Sequence, residues 1–274
     1  MRETVFALPL AYTGVLVSAQ EFPSFRIWFF VTLALVSARA VGMSLNRVFD
    51  AKIDAANPRT QHRLIPSGEM SVLSVSVASF IFAAIFIFSA WQLNPLCLKI
   101  SPCVLFFLVT YSFFKRFSAA SHLYLGLTEG IAPIAGGLAV NPHFDVITLP
   151  LAVFVLFWIA GLDVIYSCQD FEHDKKAGLH SIPVTFGLKK ALWISSGFHI
   201  LSVLSLLILG TFLKTCWIYW VGCLGISALF VWQHCLVSPK NLQKVNVAFF
   251  TTNKIISLTL LTTFLLNHIV CHRV

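Results

Sequence analysis

Long apolar runs follow one another from end to end of this chain, at approximately 4–19, 25–45, 72–91, 96–114, 120–140, 147–168, 190–210, 215–236 and 247–270. Most are long enough to cross about 30 Å of hydrocarbon. Lipid satisfies no backbone hydrogen bonds, and the runs lack the alternation of a β-barrel strand, so each is read as a helix. The pattern predicts an all-α polytopic membrane protein with about nine transmembrane helices. Residues 1–20 could pass for a signal peptide, but Glu3 disturbs the charged end and Pro9 interrupts the apolar core, so a first span is the simpler reading. No soluble domain or low-complexity linker separates the runs, and residues 1–274 are expected to form one membrane domain.

Composition sharpens this. Of 274 residues, 58% are hydrophobic and 11% are charged, against about 25% charged in a soluble protein. That excludes a soluble enzyme, a disulfide scaffold and a disordered tail. The seven cysteines are scattered through apolar stretches without a C-x-x-C pair, so they read as small hydrophobes.

The net charge of +8 does not call for nucleic acid. Lys and Arg concentrate in alternate connections: Arg47, Lys52, Arg59 and Arg63; Lys115 and Arg116; Lys175, Lys176, Lys189 and Lys190; Lys240 and Lys244. The intervening ones carry little beyond Arg26, Lys99 and Lys214. The positive-inside rule makes the first set cytoplasmic, with the N-terminus inside and the C-terminus outside. Trp91, Trp193, Trp217 and Trp220 fall near span ends, where indoles favour the interface.

Against so apolar a background the acids stand out. Asn46, Asp50 and Asp54 drift by about 40° per step on a helix and share one face. Two carboxylates one turn apart repel, so a cation belongs between them, and hard oxygen ligands suit Mg²⁺. Asp163, Asp170 and Asp174 lie within about 20° of a common line on a second helix. Five of the eleven acidic residues thus fall on two faces, both at the cytoplasmic side. Two opposed acidic faces at a membrane mouth suit metal ions that bridge a polyanion; the plain alternative is a solvated helix end. Each face runs into a connection with cations, Arg59 and Arg63 after the first and Lys175 and Lys176 after the second. These could cover a metal-bound anion or serve topology alone.

Tyr111 and Lys115 are i, i+4 neighbours at the same end, a diphosphate-binding pair or a snorkelling anchor. Arg39, inside span two, calls for a carboxylate partner. Glu129 and Lys254 look isolated and take no role. His122, His199 and His234 show no partner at ligand spacing, and each reads as a core histidine.

These same residues carry a resemblance. The stretch Arg39…Asn46-Arg47-x-x-Asp50-x-x-x-Asp54-x-x-Asn57-Pro58-Arg59 resembles the first motif of the UbiA family of intramembrane prenyltransferases. The stretch Asp163-x-x-Tyr166-x-x-Gln169-Asp170-x-x-x-Asp174…Gly178-x-x-Ser181-x-Pro183 resembles the second, and Tyr111-x-x-x-Lys115 resembles a third element. The resemblance implies nine helices around a central cavity and Mg²⁺-dependent transfer of a polyprenyl group from polyprenyl diphosphate to an aromatic acid. It points to the 4-hydroxybenzoate branch of quinone biosynthesis; an acceptor of the futalosine menaquinone route is the alternative. Carried over, Asp50, Asp54, Asp170 and Asp174 would hold Mg²⁺, with Asp50 and Asp170 catalytic through it. Asn46, Arg47, Arg39, Tyr111, Lys115 and Tyr166 would bind substrate. Asp163, deeper in the membrane, would orient the phenol or take its proton. A bacterial inner membrane is expected, with no obligate protein partner. From another class, a divalent-cation transporter with a site between half-repeats is the rival reading.

Overall fold

Asn94 shows how little chain the molecule uses to turn round. Its side chain accepts hydrogen bonds from the amides of Leu96 (3.1 Å) and Cys97 (2.9 Å), and Pro95 occupies the first helical position. One residue therefore ends a helix and caps the next. Ser71 and Ser181 likewise cap the helices that follow them, accepting from the amides of Ser74 and Val184.

The computed structural model describes residues 4–271, with side chains from residue 7. Twelve α-helices follow: α1 (Thr4–Ser18), α2 (Phe25–Phe49), α3 (Ala51–Ala56), α4 (Val72–Leu93), α5 (Pro95–Phe114), α6 (Ser121–Val140), α7 (Thr148–Ser167), α8 (Phe171–Lys176), α9 (Ile182–Phe186), α10 (Leu188–Phe212), α11 (Trp217–Cys235) and α12 (Thr252–Cys271). A 3₁₀ turn at Cys168–Asp170 joins α7 to α8, and a π turn at Val247–Thr251 leads into α12. Among the described residues there is no β-strand, only an isolated bridge between Ser238 and Asn241. Eight helices are long and apolar enough to span a membrane, and α1 is a shorter apolar helix. This is a multi-pass membrane protein.

The long helices form a ring. Each packs on the next in the order α1, α2, α4, α5, α6, α7, α10, α11, α12, and α12 returns to α1. The shortest helix is among the most enclosed, since Ala7, Leu10, Ala11 and Val15 are all buried. It crosses α6 where glycines remove the side chains between backbones. A Cβ on Gly14 would lie 2.0 Å from the Pro133 carbonyl oxygen, and one on Gly136 would lie 2.1 Å from that of Ala11. Small residues at such crossings are how helices pack in lipid, where burial of apolar area gives no drive. Between α7 and α10 the glue is polar. Ser195, Ser202 and Ser205 donate to the carbonyls of Gly161, Phe154 and Pro150 at 2.7, 2.8 and 2.6 Å.

Two sequence expectations change here. The first acidic face is not one continuous helix, because α2 stops at Phe49 and α3 restarts at Ala51. The second is likewise broken by the 3₁₀ turn. Asp50 (φ −93°, ψ 6°) and Asp170 (φ −95°, ψ 7°) occupy these breaks with nearly the same backbone conformation. Each precedes a six-residue helix. The four interfacial tryptophans are all exposed, and the seven cysteines are free.

Candidate active site at one end of the bundle

The breaks at Asp50 and Asp170 open onto one cavity of about 330 Å³, bounded by α2, α3, α5, α6, α7 and α12. Its wall contains every residue that the family resemblance assigns to metal or substrate: Arg39, Asn46, Arg47, Asp50, Asp54, Tyr111, Lys115, Asp163, Tyr166, Asp170 and Asp174. Residues 39 to 174 are drawn together because α2 and α7 enter the same space from opposite halves of the chain.

The first motif is deeply enclosed. Asp50 is 1% exposed and pairs with Lys115 Nζ through Oδ2 and with Arg116 Nη2 through Oδ1, the latter at 3.3 Å. Asn46 donates its amide to Asp50 Oδ2 at 3.0 Å and to Ser112 Oγ at 3.1 Å. Arg63 donates to both oxygens of Asp54 at 2.7 Å, and Arg47 stands 3.8 Å from the same carboxylate. Such pairing is required, since an uncompensated buried carboxylate is costly.

The second motif borrows its cation. Arg59, from the loop after α3, donates through Nε (2.8 Å) and Nη2 to the two oxygens of Asp170, and Asn57 adds a bond at 3.0 Å. This two-pronged geometry is the strong form of an arginine–carboxylate pair. Burial lowers the Arg59 pKa, but the bond and charge of Asp170 outweigh it, and the net shift is upward. Arg59 also donates to Tyr166 Oη at 3.0 Å and lies 5.2 Å from that ring's centre. Asp174 stands 3.5 Å from His173 Nδ1, its one ion-pair partner among the described residues. Lys175 and Lys176 point outward, exposed, with Lys175 over the Phe171 ring at 6.0 Å.

Away from the paired aspartates three sequence readings are corrected. Arg39 and Glu129 form an ion pair, so Glu129 is not isolated and is the carboxylate that Arg39 calls for. Asp163 instead meets His122, Nδ1 to Oδ2 at 2.7 Å. His199 and His234 also bond to each other, at 2.9 Å. Partners 35 to 90 residues apart in sequence leave no local signal. Tyr111 gives its hydroxyl proton to the Gly42 carbonyl at 3.1 Å. Asn253 was not foreseen: it is fully buried, lines the cavity, and both of its side-chain amide atoms lack a partner among the described residues. The π turn just before it, where Gln233 and Thr252 both donate to the Ala248 carbonyl, sets its facing; such turns gather at functional sites. An apolar space between α2, α4, α5 and α6, lined by Val31, Leu35, Phe86 and Ile100, shares Arg39, Leu108 and Glu129 with the polar cavity.

The donor set is all oxygen on two opposed sides, with cations interleaved. Among the described residues no three His, Cys, Asp or Glu side chains converge into a ready-made metal cage. Paired carboxylates on each side fit an ion held by one or two of them and completed by a substrate's phosphates.

The model of the UbiA prenyltransferase family matches residues 7–255, and the chain belongs to that family. It is 27% identical over 243 residues, 86% of this chain and 82% of the relative, to the 4-hydroxybenzoate octaprenyltransferase of Psychromonas ingrahamii. Among solved structures it is similar to the apo UbiA homolog of Aeropyrum pernix K1, with 28% identity, a TM-score of 0.88, and coverage of 96% of this chain and 97% of that one. A UbiA homolog from Archaeoglobus fulgidus bound to GPP and Mg²⁺ has the same fold, with 18% identity, a TM-score of 0.77, and 97% and 96% coverage.

Proposed function

We propose that this chain transfers a polyprenyl group from polyprenyl diphosphate to 4-hydroxybenzoate in a bacterial inner membrane, forming a C–C bond and releasing diphosphate. One observation carries the reading most: a cavity with paired aspartates on two sides and Lys115, Arg47, Arg59 and Arg63 between them. Only a polyanion with a metal uses both charges. The family and the 4-hydroxybenzoate octaprenyltransferase of Psychromonas ingrahamii support the acceptor.

Asp50, Asp54, Asp170 and Asp174, with Asn46 beside them, would hold Mg²⁺. Bound there, the metal supplies Lewis-acid stabilisation of a diphosphate leaving group. Lys115, Arg47, Arg59 and Arg63 would bind the diphosphate oxygens by charge-assisted hydrogen bonds. Arg59 and Lys115 now spend their charge on Asp170 and Asp50, so both turn from carboxylate to diphosphate when substrate arrives. The apolar space beyond Leu108 would take the first part of the hydrocarbon tail. Tyr166 and Phe249, whose rings lie 4.2 Å apart, present aromatic faces to a developing allylic cation and shield it from water. Arg39, held by Glu129, and Asn253 offer polar contacts to the acceptor. Asp163 would take the proton of the phenol.

The test is direct. Membranes containing the protein, labelled polyprenyl diphosphate, Mg²⁺ and a panel of aromatic acids should yield prenylated 4-hydroxybenzoate. Product on a different aromatic, such as one from the futalosine route, would move the acceptor; no aromatic product would overturn the reading. Orientation is tested separately: cysteine labels at 55–65 and 172–180 should both react from the cytoplasmic side, as expected with the N-terminus inside and the C-terminus outside.

A further inference from the structure

His122 makes two hydrogen bonds, and one of them fixes its chemistry. Its Nε2 accepts the backbone N–H of Ile182 at 3.2 Å. A backbone amide can only donate, so Nε2 carries a lone pair and the neutral ring bears its proton on Nδ1. Nδ1 lies 2.7 Å from Asp163 Oδ2 and therefore donates to it. The His122 side chain is 4% exposed, while the Asp163 side chain is 27% exposed and lines the cavity. Oδ1 of Asp163 takes no hydrogen bond from any described residue. One oxygen is held by the histidine and the other is left to the cavity.

The histidine is itself anchored. The segment that follows the second motif is stitched across the cavity mouth: Leu179 N–H donates to the Asp174 carbonyl at 2.9 Å, His180 N–H to the Lys115 carbonyl at 2.7 Å, and Ile182 N–H to His122. Asp163 is thus oriented by a ring that is locked to the same strap that joins Lys115 to Asp174.

Resting on the aromatic-acceptor reading above, we propose that His122 is a positioning residue that holds Asp163 as an oriented carboxylate base for the acceptor's hydroxyl. In the step it serves, the hydroxyl proton moves to Asp163 Oδ1 as the adjacent ring carbon bonds to the prenyl carbon. The breaking C–O bond leaves its electron pair on diphosphate. The dienone then becomes aromatic again: the ring hydrogen leaves as a proton to diphosphate, and Asp163 returns its proton to the oxygen.

Two amides separate the two bonds of His122. His122→Asn places an N–H donor where Nδ1 stood and keeps the bond to Asp163, whereas His122→Gln places an acceptor near Nε2 and keeps only the bond to Ile182. A positioning role predicts that kcat with 4-hydroxybenzoate falls less than about 3-fold in His122→Asn and about 30-fold in His122→Gln. Polyprenyl diphosphate affinity measured with Mg²⁺ should match wild type in both. Combining His122→Gln with Asp163→Asn should be no slower than Asp163→Asn alone, because the histidine acts through the carboxylate. The more acidic hydroxyl of 3-fluoro-4-hydroxybenzoate should shrink the 30-fold loss to under about 5-fold, a readout usable on any variant that folds. A histidine that merely caps Ile182 gives the reverse order, with Gln active and Asn impaired. That order, an additive loss in the double variant, or an equal loss with the fluorinated acceptor would overturn the proposal. If wild type prenylates no aromatic at all, it is the activity that fails.

Discussion

The two aspartate motifs share a backbone and differ in charge. Both break a long helix at an aspartate of nearly identical φ and ψ, and both follow it with six helical residues. Around Asp50 and Asp54 stand four cations, Lys115, Arg116, Arg63 and Arg47. Around Asp170 and Asp174 stand Arg59, lent by the first half, and His173. The second motif's own lysines face away. Two similar helix breaks therefore carry unequal sides: one closed and charge-saturated, the other more open and able to give up its single arginine. An arriving metal–diphosphate would find its easier entry on the Asp170 side.

The largest expected effect removes either side altogether. Asp50→Ala and Asp170→Ala should each lower transfer by at least about 10²–10³-fold, the scale on which loss of one preorganised charge stabiliser acts. EDTA should match them on wild type. The comparison sharpens in the free protein. Asp50→Ala leaves Lys115 and Arg116 facing each other without a carboxylate and should lower the thermal midpoint, whereas Asp170→Ala frees one half-exposed arginine and should lower it less. Equal destabilisation would erase the asymmetry.

Next in size is the borrowed cation. Arg59→Ala should raise the KM for polyprenyl diphosphate about 10-fold, as expected for one or two charge-assisted bonds. It should also lower the Mg²⁺ concentration needed for half-maximal rate, because Asp170 no longer shares its oxygens with a guanidinium. Arg63→Ala, on the saturated side, should show the first effect more weakly. Titration of rate against both ligands measures the pair.

Much of this was legible in the chain. Apolar runs of full length announce spans without ambiguity, since lipid leaves the backbone one solution. The i, i+4 and i, i+7 spacings of the aspartates put them at one mouth, because helical geometry is local. What stayed hidden was of two kinds. The breaks at Asp50 and Asp170 carry no Gly or Pro to mark them. The partners Arg39–Glu129 and His122–Asp163 lie 90 and 41 residues apart, and only tertiary packing of α2 and α7 against α6 creates them. The burial of α1 was equally silent, because a helix apolar all round reads the same whether it faces lipid or core.

The smallest effect is the most discriminating for the comparison itself. Sequence placed Lys175 and Lys176, one and two residues beyond Asp174, as possible counterparts of Arg59 and Arg63, five and nine beyond Asp54. In the fold they are exposed, and Lys175 rests over Phe171 instead of the cavity. An exposed lysine outside the site is worth little to a ligand it does not touch, and its long-range attraction is screened beyond about 8 Å at physiological salt. Lys175→Ala and Lys176→Ala should therefore change kcat and the KM for polyprenyl diphosphate by less than about 2-fold at that ionic strength. Their remaining role is topological, so the double variant should show its effect, if any, in the yield of correctly inserted protein. A tenfold rise in KM for either single variant would mean that α8 turns to bring its lysines over the diphosphate, and that the second motif supplies a cation of its own after all.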